Sequence, residues 1–540
     1  MAIANRACVV WAVDSLEKLS RDAPPGDRDC IAVESCRNEY ASAQLAVRAL
    51  RRISALRISP PVLVHESGAD GVEVTARFVG YVPLKENTTN TPTDELTCIA
   101  PALCPDPLLV DEALAVDEAS TQPVWVTLFV PANAPAGRWR GTVAVNADGD
   151  HAEVPIELIV HPISLPNERN LWVTNWMDRR NLARFHATDL YTPRFWQIVE
   201  NYARNMAAHR QNVTKVSLRM IDIRQKADAR LVFDYANFDR WVETFTRAGC
   251  MELIEGDALG GWGDGKFESP WLDWEKFVAC SEDGSEVALD PEAAITALLG
   301  DLCKHLKERR WFERFILHIV DEPAPHSEDD YRRKVSLVRS AAPGVRLIEA
   351  MSCMDARGYL DIWVPCLDHL HANLDHYLRL REQSGFEMWF YTCCNPTGRY
   401  PNRLLDFSLL KTRILHWINW RYKLSGYLHW GLNYWADDPF QSDRLYDDVP
   451  AGDCWIIYPG PDGPLDSLRW EHMREGIQDY ELLRLLDRRG KESGRLSGEA
   501  DRICTSLVPD PVSYGRDWRE LRAARRNVVD AILSLPSGGS

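Results

Sequence analysis

The chain contains no stretch approaching the roughly eighteen uncharged apolar residues that a membrane-spanning helix needs, so no membrane partner is expected. It also lacks any Lys/Arg-rich run. With a formal net charge of −17, nothing offers the positive footprint that phosphate backbones or anionic lipids require, and nucleic acid is not an expected partner. The fourteen cysteines include no C-x-x-C and no zinc-type spacing, so most read as buried thiols; Cys393 and Cys394 are neighbours, and Cys98 and Cys104 sit six apart. P-loops, dinucleotide fingerprints and nucleophile elbows are missing, and Gly260-Gly261-Trp262-Gly263 is a turn-rich loop without the strand-to-helix context those motifs need. There is no basic leader or small-residue cleavage site. The apolar run Ala7–Val13 stops at Asp14 and reads as a first strand, so a cytoplasmic location is expected, with export through a leader removed before Met1 left open.

What the chain does have is 540 residues, 45% hydrophobic and 26% charged, the composition of a folded soluble protein of two to four domains. Residues 1–162 carry short, partly alternating apolar segments such as Val124–Val130 and Gly141–Val145, punctuated by Pro, Gly, Asn and Asp, which predicts a β-sandwich. After the hinge-like Pro162-Ile163-Ser164-Leu165-Pro166 the pattern becomes strand then helix. Candidate strands are 171–176, 213–218, 251–255, 315–320, 346–350, 361–364, 387–392 and 426–430, separated by amphipathic stretches such as 195–206, 238–248, 293–309, 331–341 and 409–423. Eight such units predict a (β/α)₈ TIM barrel over 167–490, closed by a helix over 468–488 whose Arg474, Glu475 and Asp479 form a solvated or salt-bridged face. Residues 491–540 read as a short helical C-terminal extension. The fold class is a multidomain protein, N-terminal β-sandwich followed by TIM barrel.

The chemistry gathers where the apolar run Phe315–Val320 ends in Asp321-Glu322-Pro323. A buried strand delivers these acids to the carboxyl end of the barrel, where such folds place their active sites. A conventional retaining glycosidase sets its two carboxylates about 5 Å apart across the scissile bond, which adjacent residues rarely do. They suit a scheme in which the substrate's 2-acetamido group attacks its own anomeric carbon, Asp321 polarising that group and Glu322 acting as general acid and base. Glu322 then needs a raised pKa, which a neighbouring Asp321 charge and an apolar wall supply. Flat aromatic faces suit sugar rings, and the candidate substrate-binding residues are Asn175, Trp176, His318, His371, Asn373, Trp389, Tyr391, Trp430, Asn433 and Trp435, with Tyr391 placed to orient the acetamido carbonyl. Trp417 and Trp420, on a predicted helix, read as core. His369, His371 and His376 beside Asp368 and Asp375 invite a metal reading, but no second cluster of ligand type accompanies them; neither metal nor cofactor is expected.

Three segments carry a family likeness: His318–Pro323, Gly426–Trp435 and Leu468–Glu481. Together they resemble glycoside hydrolase family 123. The resemblance extends to about residue 490 and implies a sandwich followed by a barrel, with β-N-acetylgalactosaminidase activity by substrate assistance. It places the family's adjacent catalytic acids on Asp321 and Glu322. Members are often exported, whereas this chain shows no leader. The implied sugar is N-acetylgalactosamine first and N-acetylglucosamine second, on the end of an oligosaccharide or glycoconjugate. Alternatives are a glycosidase pairing Glu322 with a distant acid such as Asp361 or Asp437, and a carbohydrate-binding protein with a degenerate site. Oligomeric state is open, a homodimer included.

Overall fold

The computed structural model describes residues 7–352, 355 and 357–536. Contacts divide the chain into two compact units that do not follow the linear boundaries expected from sequence: one comprises 1–170, 397–423 and 433–540, the other 171–396 and 424–432.

The first unit contains two large sheets. One has strand order Cys8–Val13, Glu39–Ala49, Thr121–Val130, Glu73–Leu84, Ala102–Leu109; the other follows Ile31–Arg37, Asp150–Ser164, Gly137–Ala147, Ile53–Ser59, Leu114–Val116. Period-two patterning explains how they meet. Trp139, Val143, Val145 and Ala147 are buried while Arg138, Arg140, Thr142 and Asn146 between them are exposed. The inner faces of both sheets share one apolar cluster that includes Leu45, Val47, Val126, Leu128, Trp139, Val143 and Leu158, which makes the domain a sandwich. Cys98 and Cys104 are paired as a disulfide in this unit.

Helices Leu409–Tyr422, Leu468–Ser493, Glu499–Leu507 and Trp518–Ser534 also belong to the first unit, and the second of these packs on the sandwich strands 39–49 and 102–109. Helices from the expected barrel span 167–490 and from the expected extension after 491 thus share this unit with the sandwich. Of the two readings of the charged face of helix 468–493, solvated or salt-bridged, the structure shows the salt-bridged one, with Arg474, Glu475 and Asp479 buried. Their charges are answered inside: Arg413 Nε lies 2.7 Å from Asp479, Arg413 also pairs with Glu475, Arg474 pairs with Glu471 at 2.6 Å, and Arg525 joins Asp479 to Glu39. A helix covered on every side shows little amphipathic pattern, and each polar residue it carries then needs an internal partner.

The second unit holds eight parallel strands: Trp172–Asn175, Val213–Val216, Leu253–Gly256, Phe315–Leu317, Arg346–Ala350, Ile362–Val364, Glu387–Tyr391 and Gly426–His429. All eight overlap the segments expected from sequence. They pair in the order first, eighth, seventh, sixth, fifth, fourth, third, second, so the barrel is nearly closed. At the remaining seam, between first and second strands, Asn212 substitutes for a ladder: the Val173 N–H donates to its Oδ1 at 2.9 Å, and its own N–H reaches the Val173 carbonyl at 3.4 Å. Connecting helices begin where capping chemistry dictates. Thr192 and Asp290 accept from the first-turn amides of Pro193–Ala208 and Pro291–Glu308, each opening with proline, whose missing N–H costs nothing there. Sequence patterning did not reveal the excursions after the second and third strands, a four-stranded sheet and the hairpin Gly260–Trp262/Leu272–Trp274.

Within the first unit, Arg469 is wholly buried and donates to Asp106 at 2.8 and 3.1 Å and to the carbonyls of Arg403, Gly452 and Trp455. Asp106→Ala leaves that guanidinium without its counter-charge and is expected to lower unfolding free energy by about 3–5 kcal/mol, read from the urea midpoint; an unchanged midpoint refutes the pairing as a stabilising element.

Candidate active site

The fourth barrel strand stops pairing at Leu317, yet the chain stays ordered through Val320 because its amides find another acceptor. The N–H groups of Ile319 and Val320 both donate to Glu349 Oε2 at 3.0 Å, and Val320 bridges to Gly260. Asp321 and Glu322 follow. Glu322 adopts φ 47°, a left-handed conformation uncommon for a residue with a Cβ and suggestive of a conformation held for function. It is held from two sides: Trp262 Nε1 donates to its carbonyl at 3.2 Å, and the Tyr391 hydroxyl donates to its carboxylate. The next helix, Glu328–Ala341, is prepared by Ser327, whose hydroxyl bonds the backbone of Ala324, so neither acid is spent as its cap. Among the described residues neither acid makes an ion pair.

Beneath the pair lies a buried charge network. His318, 2% exposed, donates from Nε2 to Glu255 at 2.8 Å and from Nδ1 to Glu349 at 3.1 Å. Thr174 and Trp176 complete Glu255 at 2.5 and 2.8 Å, and the Tyr331 hydroxyl reaches Glu349 at 3.3 Å. Burial alone would lower the imidazole pKa, but hydrogen bonds to the two carboxylates and their charges outweigh it and hold His318 up to about 9. Lys215 Nζ sits 3.8 Å over the Trp176 ring and adds a second positive charge.

Those charges act differently on the two acids. Asp321 is open to solvent yet densely surrounded by protein; desolvation raises its carboxyl while His318 and Lys215 pull it back toward the ionised form. Glu322 receives no such help. Desolvation and then the Asp321 charge push it up to about 7, opposed only by the Tyr391 hydrogen bond. Both carboxyls are thus held above the ordinary carboxylate range, the neighbouring Asp321 charge adding to the rise of Glu322 and the His318 and Lys215 charges restraining that of Asp321. Glu322 lines a cavity of about 270 Å³ with Phe267, Pro323, Ala324, Pro325, Ser352, Cys366, Asp368, His369, Tyr391, Cys393, Cys394 and Asn395. Its size is at the low end for small-molecule sites, which run roughly 300–1,000 Å³.

The Glycoside hydrolase 123 catalytic-domain family model matches residues 176–486, and the Glycoside hydrolase 123 N-terminal domain model matches residues 8–147. The chain belongs to glycoside hydrolase family 123. As a family 123 enzyme it is a glycosidase acting on carbohydrate. Its fold is similar to that of a family 123 glycoside hydrolase from Clostridium perfringens, 15% identical, with TM-score 0.78 and 98% of each chain covered. A GH2 beta-galacturonidase from Eisenbergiella tayi is 12% identical over 81% of this chain and 69% of that one; its TM-score of 0.32 is too low to bear on the argument. No curated protein matches.

Of the residues expected to bind sugar in this family 123 hydrolase, the structure brings Tyr391 into the cavity with Glu322. The structure places several others elsewhere. His318 lies inside the charge network, and Trp176 serves Glu255. Asn175 is buried against Gln211, at 3.1 Å. Trp389 is fully buried, its ring so close to Gly426 that a Cβ there would fall 2.3 Å from it. Trp435 is buried with its indole N–H on the Ile457 carbonyl at 2.7 Å, and Asn433 is buried and bridged to Trp455, both within the first unit. Trp430 is half-buried at the end of the eighth strand; His371 and the exposed Asn373 do not line the cavity, whereas their neighbours Asp368 and His369 do. Asp361, the alternative distant acid, precedes the sixth strand and pairs with Arg339 at 2.8 Å, at the barrel end opposite the chemistry. Trp417 is core as expected. Glu255 and Glu349 were overlooked, although an acid within an apolar strand signals a partnered interior charge.

Two outcomes are expected. Tyr391→Phe removes a bond to the charged carboxylate, so Glu322 should hold its proton to higher pH and the basic limb of the kcat/KM profile should move upward; an unmoved or lowered limb refutes Tyr391's role. Separately, the raised His318 pKa means its contribution to stability is complete below about pH 6.5, the ordinary imidazole value, and is lost as pH rises through about 9. Urea unfolding of the wild type should weaken over that window more steeply than that of His318→Gln, and parallel curves would rule out a buried imidazolium.

Proposed function

We propose that the chain releases terminal β-linked N-acetylgalactosamine with retention, using the substrate's 2-acetamido oxygen as nucleophile. The observation that carries this reading is the contiguity of Asp321 and Glu322, with Glu322 on the cavity wall and its carboxyl pushed up to about 7. In the first step the acetamido oxygen attacks the anomeric carbon, the ionised Asp321 accepts the acetamido N–H, and Glu322 protonates the departing oxygen. In the second, Glu322 takes a proton from water as it opens the cyclic intermediate, and the product keeps the β configuration. The family likeness of the Asp-Glu-Pro segment supports this assignment of roles. Glycolipid glycan hydrolysis, the subject of the Clostridium perfringens structure, supports a glycoconjugate end as the substrate.

A second reading has one observation in its favour. Asp368 lines the same cavity as Glu322, so a conventional pair of separated carboxylates is the competing mechanism. Hydrolysis of aryl β-glycosides of N-acetylgalactosamine, N-acetylglucosamine and galactose by wild type, Asp321→Ala and Asp368→Ala separates them. Substrate assistance predicts cleavage of the acetamido sugar alone, and a loss of about 10²–10⁴-fold in Asp321→Ala, the range for a positioned acid–base group. Galactoside cleavage abolished by Asp368→Ala favours the conventional pair, and binding without turnover favours a degenerate lectin-like site. Glu322→Gln should depress poor leaving groups far more than activated aryl ones, since the latter need little protonation.

A further inference from the structure

We propose that Cys393 and Cys394 form a redox-reactive dithiol on the wall of the catalytic cavity, oxidised to a vicinal disulfide that suppresses hydrolysis. The seventh barrel strand ends at Tyr391, and Thr392 anchors the exit by a 2.7 Å hydrogen bond between its hydroxyl and that of Tyr427. The chain then folds on itself: the Cys393 N–H donates to the Asn395 carbonyl at 2.7 Å, and the Asn395 N–H points back to Cys393 Sγ at 3.5 Å. This turn brings the two sulfurs to 3.7 Å, and both residues are half-buried and line the cavity that holds Glu322 and Tyr391.

Other thiols among the described residues lack this combination. Cys8, Cys36, Cys250, Cys303, Cys454 and Cys504 are buried, and Cys30 and Cys280 are exposed far apart in sequence from any second thiol of the cavity. Cys366 also lines the cavity, but it is buried, and burial beside Asp368 pushes its thiol well above the ordinary range, so it stays protonated and a poor nucleophile.

The step balances with a peroxide as oxidant. One thiolate attacks a peroxide oxygen, giving a sulfenic acid and releasing the other oxygen as water; the neighbouring thiol then attacks the sulfenic sulfur and expels a second water. In sum, two thiols and hydrogen peroxide give one disulfide and two waters. Adjacent Cα atoms are about 3.8 Å apart, shorter than the roughly 4.4–6.8 Å usual for a disulfide, so the ring is strained and readily reopened by a thiol reductant. Closing the sulfurs to about 2.0 Å tightens a turn that begins two residues after Tyr391, the residue holding the Glu322 carboxylate. Hydrolysis is therefore the consequence to measure, and only that part rests on the proposed function.

The full chain is treated with hydrogen peroxide, alkylated and digested, with activity on the aryl acetamido glycoside read in parallel. The expected peptide spanning Cys393 and Cys394 is two hydrogens lighter and resists alkylation, while activity falls at least tenfold and returns with dithiothreitol. In Cys393→Ser and Cys394→Ser the ratio of activity before and after peroxide, taken within each protein, stays within twofold. Alkylation of both sulfurs after peroxide, sulfinic acid in place of the disulfide, a disulfide without loss of activity, or equal loss in the serine variants each overturns the proposal. Inactivity of the reduced wild type on every glycoside removes the proposed function instead, and the peptide mass still decides whether the dithiol closes.

Discussion

Two backbone amides and one buried carboxylate set up the end of the fourth barrel strand. By taking the N–H groups of Ile319 and Val320, Glu349 extends the order of the fourth strand past the point where the ladder ends, and so fixes where Asp321 and Glu322 emerge. A carboxylate in that position is costly unless answered, and burial does push Glu349 up. The imidazole of His318 answers it, which in turn requires Glu255 on the other ring nitrogen, and that acid requires Thr174 and Trp176. Five barrel-interior groups thus act as one scaffold, and the His318 imidazolium at its centre, together with Lys215 over the Trp176 ring, restrains the rise of the Asp321 carboxyl.

Glu322 is governed differently. Its left-handed backbone is unfavourable for an isolated glutamate, and proline at the next position narrows the alternatives. Trp262 from the hairpin after the third strand and Tyr391 from the seventh strand hold its two ends. Because these come from separate elements, the carboxyl is aimed by tertiary structure rather than by local sequence, and the same enclosure that aims it also keeps it protonated near neutrality.

Much of the architecture was legible because it is periodic. Eight apolar runs bounded by helices fix eight strands, and a run ending in two acids marks a strand mouth whatever the surrounding detail. Residues around the site were less legible. Trp389 and Trp435 stand in segments that reach the mouth, but a strand residue's inward or outward direction depends on register and tilt, and both proved to be interior packing. His369 was visible in the sequence while its neighbour His371 was preferred, because a short helix after the sixth strand, not the strand itself, decides which side chain meets the cavity. Helix 468–493 was half legible: charge spread over its whole circumference left a solvated and a salt-bridged face both open in sequence, and here it is paired internally.

The division of the chain has a consequence for synthesis. Glu39 and Ser42 of the sandwich find their partners in Arg525 and Glu475, more than four hundred residues later. While the ribosome is still translating the barrel, the sandwich strands within 8–164 are already made, but Glu39 still lacks the guanidinium of Arg525 and the Ser42 N–H still lacks the carboxylate of Glu475. A premature stop before Arg525 in the last helix therefore costs Glu39, in one of the earliest-made strands, its buried counter-charge.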